Sequence, residues 1–310
     1  FLLLPVFAPQ HGLDRGLWLA IFHSINAWNN AGFSLFKDSF IGYQSSILLN
    51  LVVTGLIIFG GIGYGVIFQL YLLLRDRMQH RTERVVFSLD FKVAISTTVI
   101  LLIAGTVAFF LIEQRNPNTF GALSLQDKVL AAWFQSVTPR TAGFNTIDYG
   151  KMTTAGLFLT IAFMFIGASP GGTGGGIKTT TLRVLTSCTK AILQGKEEVL
   201  LYERQIPVNL ILKAVGVLVG SVTTVMIATI LIALSDPNLD FIQLFFEVVS
   251  AFATVGLSTG ITATVSAAAK LVLIATMFIG RVGILLLIGA VLGDPRPTSI
   301  HYPEENLLVG

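Results

Sequence analysis

Asn30-Ala31-Gly32-Phe33, Thr141-Ala142-Gly143-Phe144 and Thr254-Val255-Gly256-Leu257 are three versions of one pattern, followed by Ser34, Asn145 and Ser258. Their central glycines stand 111 and 113 residues apart. The chemistry such a pattern offers lies in the main chain. Glycine adopts positive φ at no steric cost, so a tight hairpin can turn the carbonyls of adjacent residues the same way. Several hairpins around an axis present a ring of carbonyl oxygens that can replace the water shell of a monovalent cation. The plain alternative is a reused structural turn with no ion. Three copies at near-equal spacing, each between a short amphipathic segment and a long apolar run, favour the ion.

Those flanking segments place the hairpins in a membrane. A mean hydropathy of +0.77, with 53% hydrophobic and 12% charged residues, departs far from the roughly 25% charged of a soluble domain. Val93 to Ile112 and Ala214 to Leu234 carry no charge, and each has the ~20 residues needed to cross the hydrocarbon core. Ile41 to Leu74 and Met152 to Ile177 are longer uncharged runs, each holding a span and something more. Backbone that is neither helix nor barrel is tolerated at that depth only where it is buried in protein or lines water. A glycine hairpin there is therefore a functional suspect.

Charge placement sets orientation. Arg75, Arg77, Arg81, Arg84 and Lys92 form one basic stretch, and Lys178, Arg183, Lys190, Lys196, Arg204 and Lys213 another. The positive-inside rule makes both cytoplasmic, so the hairpins enter from outside. The net charge of +3 follows from these stretches, and no nucleic-acid partner is expected. The lone Cys188 excludes an intrachain disulfide and reads as a packing residue. The run Phe1 to Phe7, without an initiator Met, reads as a chain entered partway through a span.

The repeated unit is span, short re-entrant helix, hairpin, second span. Caps at Asp14, at Ser124 with Asp127, and at Asp236 or Asp240 predict short helices over Leu17 to Asn29, Val129 to Thr138 and Phe241 to Phe252. At ~1.5 Å per residue these are too short for a ~30 Å core, so they enter and turn back. The expected organisation is a second pore unit over 1–74, a cytoplasmic loop over 75–92, a third unit over 93–187, a loop over 188–208, a fourth unit over 209–292 and a cytoplasmic tail over 293–310. Gly60, Gly167 and Gly280 follow the hairpin glycines by 28, 24 and 24 residues, extending the symmetry. Gly60, Gly61, Gly63 and Gly283 read as sites of close helix packing in lipid.

Phe134-Gln135-Ser136-Val137-Thr138-Pro139-Arg140 leading into Thr141 to Asn145, Asn29 to Ser34, Ala253 to Leu257, and Met277-Phe278-Ile279-Gly280-Arg281 resemble the Trk/Ktr/HKT superfamily of potassium and sodium transporters, most closely its Ktr-type membrane subunits. The resemblance covers essentially the whole chain. It implies an all-α membrane protein with pseudo-fourfold units around one pore, about three of four present and the first missing. It implies that Gly32, Gly143 and Gly256 surround the ion, bound by backbone carbonyls of Asn30 to Phe33, Thr141 to Phe144 and Thr254 to Leu257. Glycine at all three positions favours potassium, and serine at the corresponding site of the first unit would favour sodium. No cofactor is implied. A cytosolic nucleotide-binding regulatory subunit of the KtrA or TrkA kind and a homodimer in the plasma membrane are.

Ser169, Pro170, Gly171, Gly172, Thr173, Gly174, Gly175 and Gly176 interrupt an apolar run that no continuous helix survives, since proline costs ~3 kcal/mol and each glycine ~1 kcal/mol in a helix interior. With Lys178 following, a nucleotide P-loop suggests itself. That motif needs glycine directly before the lysine and a preceding strand, whereas Ile177 intervenes after a membrane span. A packing kink is the bland reading. The resemblance implies instead an intramembrane gate beneath the filter. Arg281 stands 11 residues after Lys270, deep enough that it must face protein or water. It reads as a buried charge, tied to carbonyls or, as the resemblance implies, a second barrier. Glu247, nine residues before Gly256, aligns with His23 and Phe134 and reads as a polar contact behind the filter.

Potassium uptake driven by the membrane potential, and no enzyme activity, is the expectation. A broken-helix secondary transporter would show inverted repeats, and an intramembrane enzyme would need a nucleophile and base or a metal set. The three units all run the same way, and His11, His23, His80 and His301 are scattered.

Overall fold

The computed structural model describes residues 1–79 and 86–292. Arg81, Arg84, His80 and the tail 293–310 lie outside the described residues. Helices follow in chain order as α1 (Leu4–His11), α2 (Leu13–Trp28), α3 (Ile47–Gly61), α4 (Tyr64–Met78), α5 (Leu89–Glu113), α6 (Leu125–Val137), α7 (Thr154–Phe165), α8 (Thr179–Leu193), α9 (Val208–Ser235), α10 (Phe241–Phe252), α11 (Ala267–Val282) and α12 (Ile284–Leu292). A small antiparallel hairpin pairs Leu200 and Leu201 with Gln205 and Arg204. The molecule is otherwise helical among the described residues.

α5 and α9 are 25 and 28 residues long with mean hydropathy 2.4 in their most apolar windows, each enough to cross a membrane. Their exposed positions are apolar, with Ile100, Ile103, Val107 and Leu111 on α5 and Val215, Val219, Val222 and Met226 on α9. In water such faces would be a liability; against lipid they are neutral. The opposite face of α5 buries Thr98, Leu102, Gly105 and Phe109 at helical spacing. The chain is a multi-pass membrane protein.

The short helices form as expected; α2 and α6 each start four residues earlier than expected, and α10 has the expected bounds. α6 begins at Leu125 because the Ser124 hydroxyl accepts from Asp127 N at 3.2 Å, and α10 begins at Phe241 because Asp240 caps Ile242 N. α2 begins at Leu13 without a side-chain cap, so Asp14 falls in its first turn rather than before it. The span following each hairpin is broken. α3 and α4 are bent by 105° at Gly63, where φ is 97°, and α11 gives way to α12 at Gly283, where φ is 88°. Between α7 and α8 the break widens into residues 166–178.

Two of the glycines read as packing sites are therefore breaks. A Cβ on Gly283 would meet nothing within 4 Å, so its left-handed backbone, not close packing, requires glycine there. Gly60 does pack closely, since a Cβ would stand 1.8 Å from the Trp28 carbonyl oxygen; Gly280 matches it against Phe252 O at 1.7 Å. The first and third repeats thus press this glycine on the last turn of their own short helix, whereas Gly167 of the second meets Gly175 O, 1.8 Å from where its Cβ would stand.

Burial is greatest between successive units. One cluster joins Phe7, Leu19, Phe40 and Ile57 of the first repeat to Phe134, Ala142 and Phe144 of the second. Another joins Tyr149, Ile161 and Met164 to Phe246, Val255 and Leu273 of the third. Between the first and third repeats lies instead an open groove of about 340 Å³, lined by Phe33, Val255, Leu273 and Met277 among others.

Candidate functional site

Each hairpin carries two left-handed residues separated by one that is not. φ is 50°, 73° and 52° at Asn30, Thr141 and Thr254, and 72°, 79° and 89° at Gly32, Gly143 and Gly256. Alternation in the sign of φ turns successive peptide planes to one side. The glycines were legible in the sequence; the left-handed Thr141 and Thr254 were not, because a β-branched residue rarely adopts φ above zero, whereas asparagine, as at Asn30, does so more readily. The hairpins are anchored by wide turns off the short helices, with Ala31 N donating to Asn26 O at 3.0 Å and Val255 N to Ser250 O at 2.8 Å. In the second repeat Ala142 N donates to Thr138 O at 3.0 Å.

The three turns converge. A Cβ on Gly32 would lie 3.0 Å from Gly143 Cα and 2.8 Å from Ala142 O, and one on Gly143 would lie 3.1 Å from Gly32 Cα and 2.3 Å from Val255 O. A Cβ on Gly256 would lie 3.8 Å from Gly143 Cα. Any side chain at the first two would displace a neighbouring hairpin. Ala142, Phe144, Val255 and Leu257 are buried behind the turns, whereas Phe33 is 70% exposed toward the open groove.

Polar side chains on the short helices hold the outgoing limbs. His23 Nδ1 donates to Leu19 O at 2.8 Å, leaving Nε2 to accept from Leu35 N at 3.3 Å and to bond Ser34 Oγ at 3.0 Å. Glu247 accepts from Ser258 Oγ at 2.7 Å, Thr259 N at 2.8 Å and Thr262 Oγ1 at 2.6 Å. Gln135 joins Thr146 Oγ1 at 3.3 Å and the Tyr149 hydroxyl. Charged or neutral, these groups brace the turn; Glu247 spends its lone pairs on its own hairpin.

Residues 166–178 lie across the helix side of the hairpins. Ser169 N and Thr173 N donate to the carbonyls of Gly61 at 2.9 Å and Gly60 at 3.1 Å, two acceptors freed by the break after α3. Tyr64 N in turn donates to Gly171 O at 3.2 Å. A Cβ on Gly63 would stand 2.3 Å from Pro170 O, and Gly172 N closes a turn on Ser169 O at 3.0 Å. Gly176, with φ of 67°, folds the loop back so that Gly167 N reaches Ile177 O at 2.9 Å. Three consecutive loop residues meet three hairpins in turn. Thr173 Oγ1 receives Asn30 Nδ2 at 2.9 Å, a Cβ on Gly174 would stand 1.8 Å from Thr141 Oγ1, and one on Gly175 would stand 2.4 Å from Thr254 Oγ1.

Two cations grip the loop from its other face. Arg281 Nη1 donates to Thr173 O and Lys178 Nζ to Gly174 O at 2.6 Å. Arg281 is exposed rather than buried in this chain, and its tie to the Thr173 carbonyl is the carbonyl-bound arrangement expected of a charge at that depth. Lys178 was missed: read as one more cytoplasmic charge, it turns back onto the loop it follows. Its sequence signal was its place directly after the glycine run.

A cation transport protein model, TrkH, matches residues 2–293. The chain belongs to this family. It is 39% identical over 304 residues to the Ktr system potassium uptake protein B of Vibrio alginolyticus, covering 98% of this chain and 65% of that protein. It is 37% identical over 311 residues to the potassium/sodium uptake protein NtpJ of Enterococcus hirae, covering 98% and 67%. The crystal structure of the potassium transporter TrkH from Vibrio parahaemolyticus superimposes with a TM-score of 0.70 at 21% identity, over 90% of this chain and 58% of that one, a likeness of fold. The chain spans about 65% of the length of the Vibrio alginolyticus relative.

Proposed function

We propose that this chain forms most of the pore of a potassium uptake transporter of the plasma membrane. The observation that carries the reading is the convergence of Gly32, Gly143 and Gly256 with left-handed backbone at each. Carbonyls of residues 30–33, 141–144 and 254–257 replace the water of a bare cation. The C-terminal ends of α2, α6 and α10 add partial negative charge beneath it. A fourth hairpin fills the sector between the first and third repeats, where the groove of about 340 Å³ opens, and the pseudo-fourfold ring is then complete.

The loop Ser169 to Gly176 and Arg281 obstruct the path on the cytoplasmic side, and a cytosolic nucleotide-binding regulatory subunit, acting on a homodimer, sets their position. The driving force is the membrane potential, ~2.3 kcal/mol per charge per 100 mV. A relative named for both potassium and sodium makes joint potassium and sodium transport the second reading.

Gly143→Ser tests both. Its Cβ would press on Val255 O at 2.3 Å, so we expect potassium uptake in cells expressing the full-length protein to fall and the preference over sodium to narrow. Unchanged discrimination at normal expression would sink the carbonyl ring. Equal wild-type uptake of the two ions would favour the second reading.

A further inference from the structure

Arg183 and Lys190 stand seven residues apart on α8, two turns of helix, so both fall on one face. Lys196 joins them because α8 ends in a closed turn. Gly195 takes φ of 64°, its N–H donates to Ile192 O at 3.0 Å and that of Lys196 to Ala191 O at 2.9 Å, the pairing that reverses a chain at a helix end. Opposite lies the small hairpin, turned at Tyr202 and Glu203 with φ of 50° and 63°. Leu201 and Ile206 are buried with Ala191 and Val93, which fixes hairpin to helix. Between them is a cleft of about 350 Å³ lined by all three cations.

The protein itself leaves these charges unanswered. Glu198 is the one acidic residue lining the cleft, and none of the three cations lies within ion-pair distance of a carboxylate among the described residues. Arg183 Nε is withdrawn from solvent and has no hydrogen-bond partner among them. Native proteins leave few buried polar atoms unpaired, because each costs its full desolvation. A phosphate approaching the guanidinium side-on satisfies Nε and a neighbouring Nη together, the fork geometry in which arginine holds phosphate. Lys190 and Lys196 add charge, and Ser187 in the same wall offers a hydroxyl.

The depth of the cleft says which phosphate reaches it. α8 starts directly after the loop under the hairpins, and its 15 residues rise ~22 Å, beyond the ~15 Å half-thickness of the hydrocarbon core. Its last turn therefore comes out at headgroup level on the basic, cytoplasmic side. Ile192 and Leu193, which follow Ala191 at the cleft, and Leu200 in its wall are 70%, 82% and 54% exposed. Apolar side chains beside a basic cleft at that level suit acyl chains better than water.

We propose that this cleft binds the phosphate of an anionic phospholipid of the inner leaflet, whose acyl chains lie over Ile192, Leu193 and Leu200. The site stands apart from the hairpins and does not depend on which ion they pass. A lipid held there braces the C-terminal end of α8, the helix whose N-terminal end carries Lys178 and its grip on the loop.

The test uses the full-length protein, with binding of added dioleoylphosphatidylglycerol followed by native mass spectrometry. Arg183→Gln should weaken binding about tenfold, the scale of a lost charge-assisted hydrogen bond. Arg204→Gln, which removes the same charge from an exposed position on the hairpin outside the cleft, should stay within about twofold of wild type. Equal weakening in both variants means attraction to a basic surface and overturns the site, as does unchanged binding in folded Arg183→Gln. Dioleoylphosphatidylcholine or glycerol 3-phosphate binding as tightly as the anionic lipid overturns the lipid assignment. If Arg183→Gln does not fold, Lys190→Gln, at an exposed position on α8, takes its place. A map of the wild type in phosphatidylglycerol nanodiscs should then also show phosphate density about 3 Å from Arg183, and an empty cleft overturns the proposal.

Discussion

Lys178 donates to the carbonyl of Gly174, four residues before it in the chain, at 2.6 Å, while Arg281 holds the adjacent carbonyl of Thr173 from another repeat. One cation comes from the segment that ends the loop and the other from the third repeat. Neither has a carboxylate partner within ion-pair distance among the described residues.

Lys178→Met removes one grip and keeps the length of the side chain. A charge-assisted hydrogen bond is worth ~1.5–3 kcal/mol, so the loop should open more readily and potassium flux in proteoliposomes should rise, by roughly tenfold at the low end of that range. Lys178→Arg should leave flux near the wild-type value. A fall in flux with Met would show that Lys178 shapes the path instead of closing it.

Gly280→Ala should be severe. Its Cβ would lie 1.7 Å from Phe252 O and 2.7 Å from Phe252 C, atoms of a backbone that cannot rotate aside. Overpacking costs ~1–3 kcal/mol or more, and here α11 must shift off α10. Gly289→Ala, where a Cβ would meet nothing within 4 Å, is the control. The midpoint of thermal unfolding in detergent should drop by several degrees for the first and hold for the second.

Asp236 ends α9 and accepts from Ser266 Oγ at 2.7 Å and Ser266 N at 3.0 Å, tying that span to the start of α11. These bonds, the Ser266 hydroxyl first, hold its carboxyl below its ordinary value. A depressed carboxylate stabilises the fold above its unfolded value, ~3.9, and that contribution fades as pH falls through the lower folded value. Thermal stability should therefore decline below about pH 4, and Asp236→Asn should flatten that limb of the profile. An identical acid limb in the variant would remove Asp236 from the account.

Much of this was readable from residue types. Runs as apolar as Ala214 to Leu234 leave little choice but a spanning helix, and the recurrence of glycine at 32, 143 and 256 announced the turns. What was hidden depends on long-range contact. Ser34 and Ser258 look like ordinary turn residues until His23 and Glu247, each eleven positions earlier, are seen to hold them. The break at Gly63 looked like a packing site because a single glycine within an apolar run has both meanings. Lys178 was misplaced because a rule that counts basic residues in connections does not see a side chain that turns back.

The loop residues Thr173, Gly174 and Gly175 engage the hairpins in sequence, one apiece. Such an arrangement has a register, as a zipper does. Adding a single residue ahead of Thr173 would not loosen one contact and spare the others; it would carry every tooth to the wrong slot, setting threonine's bulk under a hydroxyl that admits only a hydrogen. The segment can therefore withdraw as a piece, but it cannot creep.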